Sequence, residues 1–200
     1  MMFTMFINGR LIPVVLFAAI AAYGQGSVAF DNGFPTGNAI KLLPSDVPVP
    51  ASGIPGSGIV HVELFAGPAG VVTEAQLTTG LLDSPTSMTP VRILADIQVD
   101  GYFFGPTAYV QGIAGANEAT FQVRAWSGSS ASYAAALIAP GALVGKSPLF
   151  QVILGGVGSP PSLPASLRMP PFAMGATVPE PSAIVLGVLG VAALLFRRRK

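Results

Sequence analysis

The chain has 200 residues, 51% of them hydrophobic and only 10% charged, with a formal net charge of +1. Such sparse charge excludes a charge-rich disordered chain, and the absence of cysteine excludes disulfides, thiolate catalysis and cysteine-ligated zinc. Between residues 25 and 177, five bases (Lys41, Arg92, Arg124, Lys146, Arg168) stand against eight acids (Asp31, Asp46, Glu63, Glu74, Asp83, Asp96, Asp100, Glu118), a net of −3 that argues against nucleic acid as a partner.

Residues 1–24 follow the pattern of a signal peptide. A short leading region carries Arg10, and Leu11–Ala22 supplies twelve uncharged, mostly apolar residues. As helix this run spans about 18 Å, short of the roughly 30 Å hydrocarbon core of a bilayer. Ala22 and Gly24 place small residues at −3 and −1 for cleavage before Gln25. Ala19–Ala21 offers a second cleavage site, and cleavage after Gly26 a third. The run shows no polar face, as a core helix of a globular domain would. Export implies a secretion translocon and a signal peptidase as partners.

Residues 25–158 read as a single antiparallel β-sandwich domain. From Val60 onward, Val60, Val62 and Leu64 alternate with His61 and Glu63. Over Val91–Asp100, Ile93, Ala95, Ile97 and Val99 oppose Arg92, Asp96, Gln98, Asp100 and Leu94. Over Ala119–Trp126, Phe121, Val123 and Ala125 oppose Thr120, Gln122, Arg124 and Trp126. Leu149–Leu154 is a further strand, and Ser27–Phe30 and Tyr109–Ile113 are additional candidates. Tyr133–Ile138 fits a short helix or a strand. Several short strands broken by Gly/Pro turns suggest the sandwich. Val47–Gly58 reads as a long loop. Residues 159–177, with Pro160, Pro161, Pro164, Pro170 and Pro171, read as a semi-rigid stalk.

The body offers little chemistry. His61 is the single histidine, so a histidine zinc site lacks partners and any Ser-His-Asp triad must use it. It also fits a partly exposed strand residue. No G-x-S-x-G elbow, phosphate loop or dinucleotide fingerprint occurs. Asp96 and Asp100 share a strand face but stand roughly 13 Å apart, too far for a glycosidase pair. Glu63 could meet either across strands. No metal or cofactor is expected. Trp126 and Tyr102, with Phe103, Phe104 and Tyr109, could form an aromatic platform for sugar rings, or could pack the core.

The chain ends on an ordered set. Val178, Pro179, Glu180 and Pro181 give an extended, proline-fixed stretch. Ala183–Phe196 follows as fourteen residues without charge, about 21 Å as helix. Arg197, Arg198, Arg199 and Lys200 close the chain and would hold that end in the cytoplasm. Residues 178–200 closely resemble the PEP-CTERM protein-sorting signal of exported bacterial proteins. The resemblance implies that Pro179, Glu180 and Pro181 are recognised by an exosortase, an integral-membrane cysteine peptidase thought to act as a transpeptidase. It further implies that 183–196 is the membrane segment and 197–200 the cytoplasmic stop. The family is associated with bacteria that make extracellular polysaccharide.

The expectation is therefore an exported, non-enzymatic surface or matrix protein, held by its tail in the membrane and then processed. The alternative is a carbohydrate-binding module on the same route, using Trp126 and Tyr102. A hydrolase built on Glu63 or Asp96 is a third reading, disfavoured by the lone histidine and missing motifs.

Overall fold

A computed structural model describes residues 3–7, 10–14, 25–33, 37–83, 92–156 and 162–176. Phe3–Ile7 (β1) and Arg10–Val14 (β2) pair antiparallel as a two-stranded sheet of their own. The expected signal-peptide run begins within β2. The rest of it, including Ala22 and Gly24, lies outside the described residues.

The body is built from Gln25–Asp31 (β3), Lys41–Leu42 (β4), Val47–Pro48 (β5), Val60–Pro68 (β6), Leu82–Asp83 (β7), Ile93–Val99 (β8), Tyr102–Ala114 (β9) and Glu118–Ser127 (β10). It continues with the helix Tyr133–Ala136 (α1), then Leu143–Lys146 (β11), Phe150–Ile153 (β12), Ala165–Ser166 (β13) and Ala173–Ala176 (β14). A 3-10 turn covers Glu74–Gln76. The strands join in one hydrogen-bonded path, β13-β3-β9-β8-β6-β10-β11-β14-β4-β5, with β12 also on β10 and β7 also on β9.

The chain is mainly β, as its alternation predicts. In β8, Ile93, Ala95 and Ile97 are buried while Leu94, Asp96 and Gln98 are exposed. Two features depart from an antiparallel sandwich. First, β9 belongs to both halves, because Tyr102 and Phe103 pair with β8 while residues 104–114 pair with β3. The sheet therefore curls through β9 instead of splitting in two. A register shift between Ala29 and Asp31 marks the corner. Gly105 sits there because a Cβ would collide with the ring and carbonyl of Phe30. Second, β13 pairs parallel with β3 and β14 parallel with β4.

The expected stalk is corrected in the same region. Residues 162–176 run back into the fold: β13 lies on β3, and β14 sits between β11 and β4. Leu167, Met169 and Met174 are at most 1% exposed. They join Val28, Phe30, Leu64, Phe103 and Phe121 in the main core. Burial of each such side chain contributes about 2 kcal/mol, which an extended stalk would forgo. Prolines 164, 170 and 171 punctuate this segment without freeing it. The folded body thus continues to Ala176.

The ambiguous Tyr133–Ile138 segment forms α1, whose first turn is capped by Ser132 Oγ accepting from the Ala135 amide at 3.2 Å. α1 lies on the outer face of β10, and Tyr133, Ala136 and Ala142 close over Trp126 as a satellite cluster.

Candidate functional site

The outer face of β8, β6, β10 and β11 gathers half of the body's charged residues and histidine. Register sets two rows of side chains across it. One runs Leu94, Glu63, Arg124, Lys146, and the next Asp96, His61, Trp126, Val144. Two elements, α1 and the 3-10 turn, bring Tyr133 and Glu74 over these rows.

In the first row, Glu63 is 2% exposed. Its carboxylate accepts from Arg92 Nε, and Arg92 Nη1 donates to the Ala131 carbonyl at 2.8 Å. The Glu63 hydrogen bond holds the Arg92 guanidinium above its ordinary pKa, against the pull of burial. Arg124 lies 3.9 Å from the Phe65 ring centre and 5.6 Å from that of Tyr133. Its Nε donates to Gln122 Oε1 at 2.8 Å. Lys146 Nζ stands 2.7 Å from Glu74 Oε1, and Arg124 Nη2 stands 4.0 Å from Oε2. The Lys146 hydrogen bond is the main cause holding the Glu74 carboxyl below its ordinary value. Burial pushes the Tyr133 phenol up.

In the second row, His61 Nδ1 lies 2.7 Å from Asp96 Oδ1 and Nε2 lies 3.0 Å from the Gly128 carbonyl. Both ring nitrogens are engaged, and neither is turned towards an open site. Glu63 stands opposite Leu94 and Arg124, so it meets neither Asp96 nor Asp100. Asp100 lies beyond the end of β8 and accepts from the Ala51 amide at 2.9 Å. No group of three or more potential metal ligands occurs among the described residues.

The aromatic platform is not assembled. Trp126 is 2% exposed and donates its indole N–H to the Ser130 carbonyl at 2.8 Å. Tyr102 lies on β9, three strand steps away through β8 and β6, or roughly 14 Å by ordinary strand spacing. Its hydroxyl donates to the Gly37 carbonyl at 3.1 Å. Phe103 is fully buried against Phe30, their ring centres 4.8 Å apart. The expected sugar-binding pair is therefore corrected: its indole is covered and its members are separated. An open cavity of about 450 Å³ occurs elsewhere, lined by Asn32, Gly37, Asn38, Ser166, Arg168 and Met169. Arg168 occupies it with a left-handed backbone, φ 42°.

Sequence reasoning missed the ion-pair partners, since Arg92, Glu74 and Lys146 come from separate segments. The spacing that sets Gln122, Arg124 and Trp126 on one face is legible in the sequence, but not which residues of other segments meet that face.

The remaining candidate is the chain end. Ala176 closes β14 opposite Leu143. Val178 to Pro181 and Arg197 to Lys200 follow outside the described residues. Among the described residues no helix is long and apolar enough to cross a membrane. A family model described as the PEP-CTERM protein-sorting motif matches residues 177–200.

The chain carries a PEP-CTERM motif.

That match begins at the residue after β14, so the sorting signal abuts the folded body directly. A PEP-CTERM signal implies an exosortase as processing partner. No curated protein and no solved structure matches the chain.

Proposed function

We propose that this protein is a non-enzymatic exported domain, held in the membrane by residues 183–196, processed by an exosortase at the PEP-CTERM signal, and left at the cell surface or in the extracellular matrix. The match at residues 177–200 carries the reading. Support comes from the order of features: an apolar leader, a folded β body, Pro179-Glu180-Pro181, an apolar run and four terminal bases. The terminal bases favour a cytoplasmic C-terminus, with the body on the far side. The non-enzymatic part is supported by how the ionisable groups are used. Glu63, Glu74 and His61 are each tied to a partner that stabilises the fold, and none lines the open cavity. Carbohydrate binding through Trp126 and Tyr102 is not carried forward, because the indole is covered.

Intact mass and C-terminal peptide mapping of protein recovered from its own host test this reading. A mature form starting near Gln25 and ending within Val178–Ser182 is expected. Recovery of a form still ending at Lys200 would overturn exosortase processing.

A further inference from the structure

Register across the sheet fixes which edge releases the sorting signal. Ala176 pairs with Leu143, Trp126 pairs with Val144, and Ser127 pairs with Val60. The Ser127 hydroxyl accepts from the Leu143 amide at 2.8 Å, which extends the row from β14 to β6. At the other end of the path, Asp31 pairs with Phe104 near the start of β9, while Gln25 pairs with Ala114 at its finish. Gln25 therefore lies at one end of the strands, and the exit to the sorting signal lies on the edge of the body formed by the opposite strand ends.

The exit edge exposes apolar side chains from three neighbouring loops. The β4–β5 turn reaches it through the parallel pairing of Leu42 with Met174, and the Leu43 amide donates to the Met174 carbonyl at 2.8 Å. In that hairpin Leu43 is 58% and Val47 47% exposed. The turn leading into Leu143 exposes Leu137 by 46% and Ile138 by 88%. Beside it Ile59 is 55% exposed. Ser57 Oγ donates to the Gly141 carbonyl at 3.1 Å and the Gly128 amide to the Ile59 carbonyl at 2.9 Å, so these loops are braced to one another. The nearby charges are exposed but partnered: Lys41 pairs with Asp46 at 2.9 Å within the β4–β5 hairpin, and Asp100 accepts from the Ala51 amide.

The tether is short. Six residues, 177–182, separate Ala176 from the apolar run beginning at Ala183. Fully extended they reach about 20–22 Å, and the headgroup layer takes up about 5–7 Å of that. A domain of this size is about 35–40 Å across. The edge that releases the chain must then face the bilayer closely.

Resting on the reading of residues 183–196 as a membrane segment, we infer that the edge bearing Leu43, Val47, Ile59, Leu137 and Ile138 seats on the lipid surface while the tail is inserted. The contact is apolar, with side chains entering the headgroup boundary as interfacial residues do, and it needs no anionic lipid. Docking would hold Pro179-Glu180-Pro181 at the membrane surface, where an integral-membrane peptidase works.

The test uses the full chain in phosphatidylcholine vesicles containing a headgroup-nitroxide lipid. The protein has no cysteine, so single labels can be placed by Leu43→Cys and Ile138→Cys at the exit edge, and by Ile153→Cys and Leu163→Cys, which are 60% and 87% exposed, towards the other edge. Several-fold stronger quenching of the exit-edge labels is expected, equally in neutral and anionic vesicles. Equal quenching of both pairs in protein that floats with the vesicles would overturn docking and leave the anchor standing. Protein that does not float overturns the anchor and the docking with it.

Discussion

Arg92 and Glu63 form the only ion pair among the described residues in which one side chain is almost wholly removed from solvent, with Glu63 at 3% and Arg92 at 39% side-chain exposure. Breaking such a pair from one side leaves an uncompensated buried charge. Arg92→Ala is therefore expected to destabilise the fold by about 3 kcal/mol. Glu63→Gln, which removes the charge but keeps the shape, should cost less. Urea unfolding of the two variants measures the difference, and equal losses would show that packing rather than charge dominates.

Trp126 is the single tryptophan, so its emission reports one environment. With 2% exposure, it should emit at short wavelength and resist iodide quenching in the native protein. Trp126→Ala should cost about 3–5 kcal/mol through the cavity it leaves. An indole quenched as freely in the native as in the unfolded protein would contradict its covering by α1.

Glu74 titrates below its ordinary value of 4.5, chiefly through Lys146. Because the folded-state value is depressed, its contribution is present above the unfolded value and is lost as pH falls through the folded one. Lys146→Ala should move the Glu74 carboxyl back up, as followed by carboxyl NMR. Both side chains are more than 40% exposed, so the stability change should remain below about 1 kcal/mol.

The closing segment makes a contrasting pair of expectations. Deleting residues 177–200 should leave the melting temperature of the body unchanged, since β14 ends at Ala176. Met174→Ala, at a fully buried position, should cost about 2–5 kcal/mol. Thermal melts of both variants check this, and a Met174→Ala protein as stable as the parent would restore the stalk.

What could be read from the sequence follows the strength of its periodicity. β8 is plain because its apolar and polar residues alternate with Leu94 as the one exception, and one of its faces meets solvent. β9 was seen only as Tyr109–Ile113, because Gly105 and Pro106 look like a turn although they mark a bend within thirteen continuous residues. Trp126 lies on the expected face of β10, but β10 is covered on both sides there, so alternation separates two buried environments and only the packing alternative fits. The stalk reading fails because the prolines draw attention from Leu167, Met169, Phe172 and Met174, apolar residues in and between β13 and β14 that enter the core. The sorting signal needed no tertiary information, since it acts as linear chain.

Ala173 pairs with Lys41, across a loop of well over a hundred residues. On the proposed export route, a chain threading outward N-terminus first would keep β4 waiting, its edge towards β14 open, until almost the whole body had emerged. Non-local closure of this kind is slow compared with local hairpins, and an unpaired edge invites pairing with other chains. If residues 183–196 insert in the membrane as proposed, that apolar run would stall transit just as the closing strand arrives. On that reading, arrest would give the fold time to finish while the chain is still tethered and kept apart from its neighbours.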